Sequence, residues 1–280
     1  MHKFEMPDTY VERVTERQGR PHTCESFDGP KTALVVVDMQ NYFMHESQQS
    51  ACPVAQEVVP NVNRLAEAVR AAGGIVVWIQ NLAPWQSLDS WSVARERYLP
   101  EKQDLRWESM QRDAFGFKLW PELDVRDDDQ RITKRRYSAF IQGSSDIENV
   151  LKDNGVETII VTGVATNVCC ESTARDGMML NYRTLMVSDG CATSTDGEHA
   201  SQGCLTSGKD CVDLVSESPA GLGEVRASTP GSTNDRSDFL DKISRVHTIG
   251  EILSYRDNQR HFAGVVRGDQ HNAATKAVPE

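Results

Sequence analysis

TALVVVD, residues 32–38, is the stretch whose reading decides the fold. Its short β-branched run has no polar alternation and stops at an acid, which is the pattern of a strand buried on both faces. Such a strand needs helices on either side of its sheet, and the flanking sequence provides them. An amphipathic helix is expected at VVPNVNRLAEAVRAAG (58–73), with Pro60 near its start and Gly73 and Gly74 at its end, followed by a strand at IVVWIQ (75–80). Further strands are expected at QRITK (130–134), ETIIVTG (157–163) and RTLMVSD (183–189). Helices are expected at SSDIENVLKDNG (144–155) and from Asn167 to Leu180. This βαβ alternation predicts a mainly parallel sheet with helices on both faces.

Composition narrows the classes of partner. With 280 residues and 39% of them hydrophobic, the chain can bury a large core, and its length suits one domain with appendages. A formal charge of −11 argues against a nucleic-acid or anionic-membrane partner, although it leaves room for a local basic pocket and a small anionic substrate. No stretch approaches the roughly 20 apolar residues needed to span a bilayer, and the opening residues lack the apolar run of a secretory signal, so a cytoplasmic location is expected. The seven cysteines are scattered and odd in number, which is no disulfide framework for a chain of this size.

Residues 1–29 are polar and carry Pro7 and Pro21; they are expected to form an arm on the main domain, residues 30–256. Between Leu82 and Asp129 runs a polar and aromatic segment with Trp85, Trp91, Trp107 and Trp120, which suits a lid or binding loop as well as cover for a sheet edge. Residues 203–238, rich in Gly, Ser, Thr and Asp, are expected to be a loop or flexible insertion. A last strand and helix are expected at SRVHTIGEILSY (244–255), with residues 257–280 as a tail.

The chemistry concentrates in TGVATNVCCESTARDG, residues 162–177, where a buried strand turns into a helix with a cysteine near the helix start. A thiol there faces unpaired backbone N–H groups and the positive end of the helix dipole, which favour thiolate. The same N–H groups suit an oxyanion. Taken alone, Cys169 is more often a small buried packing residue. Its company changes that balance, because parallel strands would bring Asp38 and Lys134 to the same sheet edge. An aspartate can take a thiol proton and return one to a leaving nitrogen, while an ammonium stabilises both anions. Separately, Asp38 would read as a turn cap and Lys134 as a surface charge beside Arg135 and Arg136.

The runs LVVVDMQNYF (34–43), ITKRRYSAF (132–140) and TGVATNVCCESTARDG, in this order, resemble the isochorismatase-like cysteine hydrolases, and among them most closely the ureidoacrylate amidohydrolases. The resemblance covers roughly residues 30 to 200, with a fainter echo at VHTIGEIL. It implies a three-layer αβα fold of Rossmann-like topology around a six-stranded, mainly parallel sheet, with Asp38, Lys134 and Cys169 as a catalytic triad. It further implies a cis peptide between Val164 and Ala165, an oxyanion hole formed by the N–H groups of Ala165 and Cys169, and hydrolysis of a small amide or ureido C–N bond through a thioester. Asn81 and Tyr137 resemble substrate-contacting positions. Gln40 and Asn41 stand where they could orient Asp38, and Gln40 is also a candidate substrate contact. No cofactor is implied, and a homo-oligomer is.

Other classes fit less well. The Asp-x-His-x-x-His metal cluster expected of a nicotinamidase has no counterpart here, so no metal is expected. Vinyl-ether cleavage of the isochorismatase kind would leave Cys169 superfluous. A nucleotide-binding flavodoxin-like protein would call for a G-x-G-x-x-G turn that the sequence lacks. A non-catalytic binding or scaffold protein on the same fold is the alternative against which the triad is weighed.

Overall fold

The computed structural model describes residues 1–2, 7–20, 22, 24, 27–83, 91–207 and 213–215. Helix α1 (Asp8–Gln18) closes on Gly19 in the left-handed conformation. Strand β1 (Thr32–Val37) is followed by short helices α2 (Asn41–Met44) and α3 (Val54–Glu57), the longer α4 (Val59–Ala71) and β2 (Ile75–Asn81). Helices α5 (Ser92–Arg95) and α6 (Pro100–Ser109) precede β3 (Gln130–Lys134), α7 (Ile147–Asp153) and β4 (Thr158–Val164). A π-helical turn (Thr166–Cys170) leads into α8 (Glu171–Met179), β5 (Arg183–Ala192), α9 (Asp196–Ser207) and the three-residue β6 (Asp213–Val215).

The strands lie in the order β3-β2-β1-β4-β5-β6, all parallel. Strands β1 to β5 make up the body of this sheet and β6 is a short edge. Successive residues of β1 point to opposite faces, as the pleat requires. Leu34 and Val36 pack with Val62, Leu65 and Trp78 in one core, whereas Ala33, Val35 and Val37 pack with Ile147, Ile159 and Ala174 in the other. Helix α4 therefore covers one face, α7 and α8 cover the second, and the expected three-layer αβα fold is the one observed.

Register puts the chemistry at one edge. Val37 lies beside Ile79 on one side and Gly163 on the other, and Asn81 lies beside Lys134. Gly163 has φ +118, and a Cβ there would overlap the Val37 carbonyl, so glycine lets β4 end directly against the start of the Asp38 turn.

Several elements differ from expectation. The helix expected from Asn167 divides into the π turn and α8. Strand β5 runs on to Ala192, because a register irregularity after Val161 lets Cys191 and Ala192 pair with Gly163 and Val164. The segment expected to be a loop from 203 contains the end of α9 and all of β6. The aromatic segment holds α5 and α6, with Trp91, Trp107 and Trp120 half-buried. Trp85, most of 203–238, the strand and helix expected at 244–255 and the tail lie outside the described residues.

Candidate active site

Asp38 follows β1 with φ 54, a left-handed conformation that aspartate tolerates better than most residues. Its N–H donates to the Ile79 carbonyl at 3.0 Å and its own carbonyl accepts from Gln40 N at 2.7 Å, so the turn is fixed from both sides. Lys134 closes β3. Its Nζ stands 2.7 Å from Asp38 Oδ2, and both side chains are fully buried. The ammonium also donates to the Arg136 carbonyl at 2.9 Å and interacts electrostatically with Cys169. Cys169 arrives from the π turn and interacts with both the carboxyl and the ammonium. The three residues expected to converge do so. Among the described residues, no backbone N–H or hydroxyl donates to the Asp38 carboxylate.

Burial sets the protonation states. Removal from water raises the Asp38 carboxyl above the ordinary carboxylate range, against the opposing pull of Lys134. Burial also disfavours the Lys134 ammonium, but Asp38 and Cys169 outweigh it and Lys134 stays protonated. The Cys169 thiol is pushed up to about 12, by burial first, with Lys134 lowering it and Asp38 raising it. This differs from the expectation from the helix terminus: burial raises the thiol, and the resting sulfur is a thiol rather than a thiolate.

The turn that presents Cys169 is pinned at its start. Thr166 Oγ1 lies 3.0 Å from His199 Nδ1, and Asn167 Oδ1 accepts from Thr193 Oγ1 at 2.7 Å. Burial lowers His199 to about 4, so the ring is neutral near pH 7. The peptide between Val164 and Ala165 is cis, as the resemblance implied.

Gln40 differs from its expected role. Its Nε2 donates to the carbonyls of Asn81 (3.1 Å) and Phe117 (2.9 Å), and its Oε1 accepts from Asn81 N at 2.6 Å. With donors and acceptor spent on backbone, Gln40 clamps the end of β2 to the following segment and is not available to a substrate. Neither Gln40 nor Asn41 orients the Asp38 carboxylate by a hydrogen bond, since Asn41 donates instead to Phe115 O. Asn81 and Tyr137 do line one narrow cleft beside the triad, together with Trp91, Tyr98 and Arg106. Arg106 was not singled out by sequence reasoning, although its charge reaches both Asp38 and Cys169. It lies in a polar helix without periodicity, and its partner Tyr42 comes from a segment 64 residues away, so no local signal marks it.

A model of the isochorismatase domain matches residues 32–203, the span that runs from β1 into α9. The chain belongs to the isochorismatase family. This isochorismatase-family hydrolase is 30% identical over 185 residues to ureidoacrylate amidohydrolase RutB of Klebsiella pneumoniae subsp. pneumoniae, covering 61% of this chain and 76% of the relative. An isochorismatase-like hydrolase from Alkaliphilus metalliredigens superposes with a TM-score of 0.53 at 28% identity, covering 66% of this chain and 94% of the other. An N-carbamoylsarcosine amidase from Thermoplasma acidophilum does so with a TM-score of 0.52 at 26% identity, covering 66% and 96%. Among the described residues no helix of this family member is long and apolar enough to cross a membrane.

Proposed function

We propose that this chain hydrolyses a carbon–nitrogen bond other than a peptide bond in a small amide or ureido substrate, using Cys169 as nucleophile. The observation that carries the reading is the buried contact of carboxyl, ammonium and thiol at the carboxyl edge of the sheet. A carboxyl raised by burial is a stronger base than a solvated one, and it touches the thiol whose proton it would take. The thiolate then attacks the carbonyl carbon, and the proton on Asp38 passes to the nitrogen as the C–N bond breaks. Ammonia or an amine leaves and a thioester remains on Cys169. Water, deprotonated by Asp38, opens the thioester and the thiol regains its proton. Throughout, the Lys134 ammonium offsets the negative charge shared by carboxylate and sulfur.

The N–H groups of Ala165 and Cys169 are assigned to the oxyanion, and Asn81 and Tyr137 to substrate positioning in the cleft. Relatives named for ureidoacrylate and N-carbamoylsarcosine make a ureido compound the first choice of substrate. The working unit is taken to be a cytoplasmic homo-oligomer, which size-exclusion chromatography of the purified chain would test.

One observation favours the scaffold alternative: a thiol at about 12 and 5% exposed is what a packing cysteine would also show. An ammonia-release screen over ureido and amide compounds separates the two. Release is expected from the wild-type chain and not from Cys169→Ser. Equal release by both proteins would remove the nucleophile assignment, and no release with any compound would favour the scaffold.

A further inference from the structure

The arm that precedes the main domain reaches the turn that presents Cys169. His2 lies outside residues 32–203, the span of the isochorismatase domain, yet its side chain is only 2% exposed. Its ring stacks on that of His199, with centres 4.6 Å apart and planes at 20°. Nδ1 lies 2.7 Å from Asp196 Oδ1, and Nε2 lies 3.0 Å from both the N and the O of Thr193. A carboxylate can only accept, so a proton stands on Nδ1, and Nε2 can accept from the Thr193 N–H. Further along the arm, α1 lies against α9, and Cys24 and Phe27 are buried in the main core, so the arm is docked at several points.

Two of the residues that His2 touches hold the start of that turn. His199 Nδ1 meets Thr166 Oγ1 at 3.0 Å, and Thr193 Oγ1 donates to Asn167 Oδ1 at 2.7 Å. Thr166, Thr193 and His199 are all buried. One line of contact therefore runs from His2 through His199 to Thr166, and the other through Thr193 to Asn167. A π turn is a rare and wide backbone form, and the residue before this one, Ala165, has no side chain that could cap its first N–H groups. Its placement depends on what Thr166 and Asn167 hold. Loss of the His2 ring would uncover a face of His199 and take an acceptor from the Thr193 N–H, at the base of both lines.

We infer that His2 is a positioning residue: docked on Asp196, Thr193 and the His199 ring, it holds Thr166 and Asn167, and through them the sulfur of Cys169, in place against Asp38 and Lys134. A reacting atom displaced by about 1 Å can cost on the order of 100-fold in rate, so even a small relaxation of the turn registers in turnover. The catalytic half of this inference rests on Cys169 as the nucleophile. The docking half does not, and the two are read by different measurements.

Amide hydrogen exchange of residues 166–170, followed by mass spectrometry on the full chain, reads the docking without any substrate. His2→Leu, which fills similar space but offers no polar atom, should speed exchange there by about 5- to 10-fold, the equivalent of one lost hydrogen bond. Strand β1 should stay as slow as in wild type. His2→Asn, whose amide can still donate to Asp196, should recover part of the protection. Unchanged exchange in His2→Leu, an equal rise in β1, or no recovery in His2→Asn would overturn the inference. On a ureido or amide compound that releases ammonia, His2→Leu should lower kcat by about 10-fold and change KM by less than about twofold, because Asn81 and Tyr137 of the cleft stand apart from these contacts. His2→Asn should again lie between. Faster exchange with an unaltered kcat would reduce His2 to a structural support and sink the positioning claim. If the wild-type chain releases ammonia from no compound, the nucleophile reading fails, and the exchange rates alone decide whether His2 holds the turn.

Discussion

The two ends of strand β3 each hold a buried carboxylate against a cation, and they are built for opposite purposes. At the amino end, Asp129 receives Arg70 through Nε at 2.9 Å and Nη2 at 2.6 Å, Trp78 Nε1 at 2.8 Å and the Arg126 N–H at 2.8 Å. Burial alone would raise this carboxyl, but the donors outweigh burial and hold it below the ordinary range. At the carboxyl end, Lys134 faces Asp38, whose other close partner among the described residues is a thiol, and there burial wins and the carboxyl is raised. A saturated carboxylate locks α4, β2 and β3 together. An undersaturated one keeps its affinity for a proton, which is what a general base requires.

Substitutions that remove one charge at each end should separate these roles. The largest effect is expected from Asp38→Asn, which should lower kcat/KM for ammonia release by at least about 10³-fold, because the amide cannot take the thiol proton. Asp129→Asn should leave that rate nearly unchanged, and comparable losses from both would erase the distinction. Asp129→Asn should instead destabilise the chain by about 2–3 kcal/mol in urea unfolding, since it removes the more buried of the two carboxylates that pair with a largely buried Arg70 and leaves only Asp124. Gln40→Ala strips the Asn81 backbone of its clamp and should cost about 1–2 kcal/mol in the same assay.

The smallest effect is one of pH. A depressed Asp129 contributes stability above the ordinary carboxylate value that is lost as pH falls through its folded value, so the penalty of Asp129→Asn should shrink in acid. A raised Asp38 works in the other direction: its contribution is complete below the ordinary value and declines as pH rises through the folded one. Melting curves of both variants against wild type over roughly pH 3 to 6 should therefore diverge with opposite slopes, and parallel slopes would contradict the assigned shifts.

The contrast also explains what the sequence could and could not disclose. TALVVVD and ETIIVTG are legible because burial on both faces leaves no polar position, and the register of neighbouring strands then carries Asp38, Lys134 and the turn before Cys169 to one edge. Properties that depend on a partner far along the chain are silent. Gln40 is polar and stands beside Asp38, yet its role is set by the backbone of Asn81 and Phe117. Arg106 belongs to a helix with no buried face, and its meaning comes from Tyr42 and Tyr98. The state of the Cys169 thiol went the same way: local position at a helix start suggested a thiolate, and the surrounding burial reversed it.

The central claim is that Asp38 transfers a proton so that Cys169 can carry the acyl group. The most direct measurement quenches turnover in acid, on whichever ureido or amide compound releases ammonia, and weighs the intact chain. The account predicts one acyl group per chain, on Cys169, removed by hydroxylamine and missing from Asp38→Asn. Turnover with no adduct under conditions where hydrolysis of the adduct limits the rate, or an adduct on another residue, would contradict it.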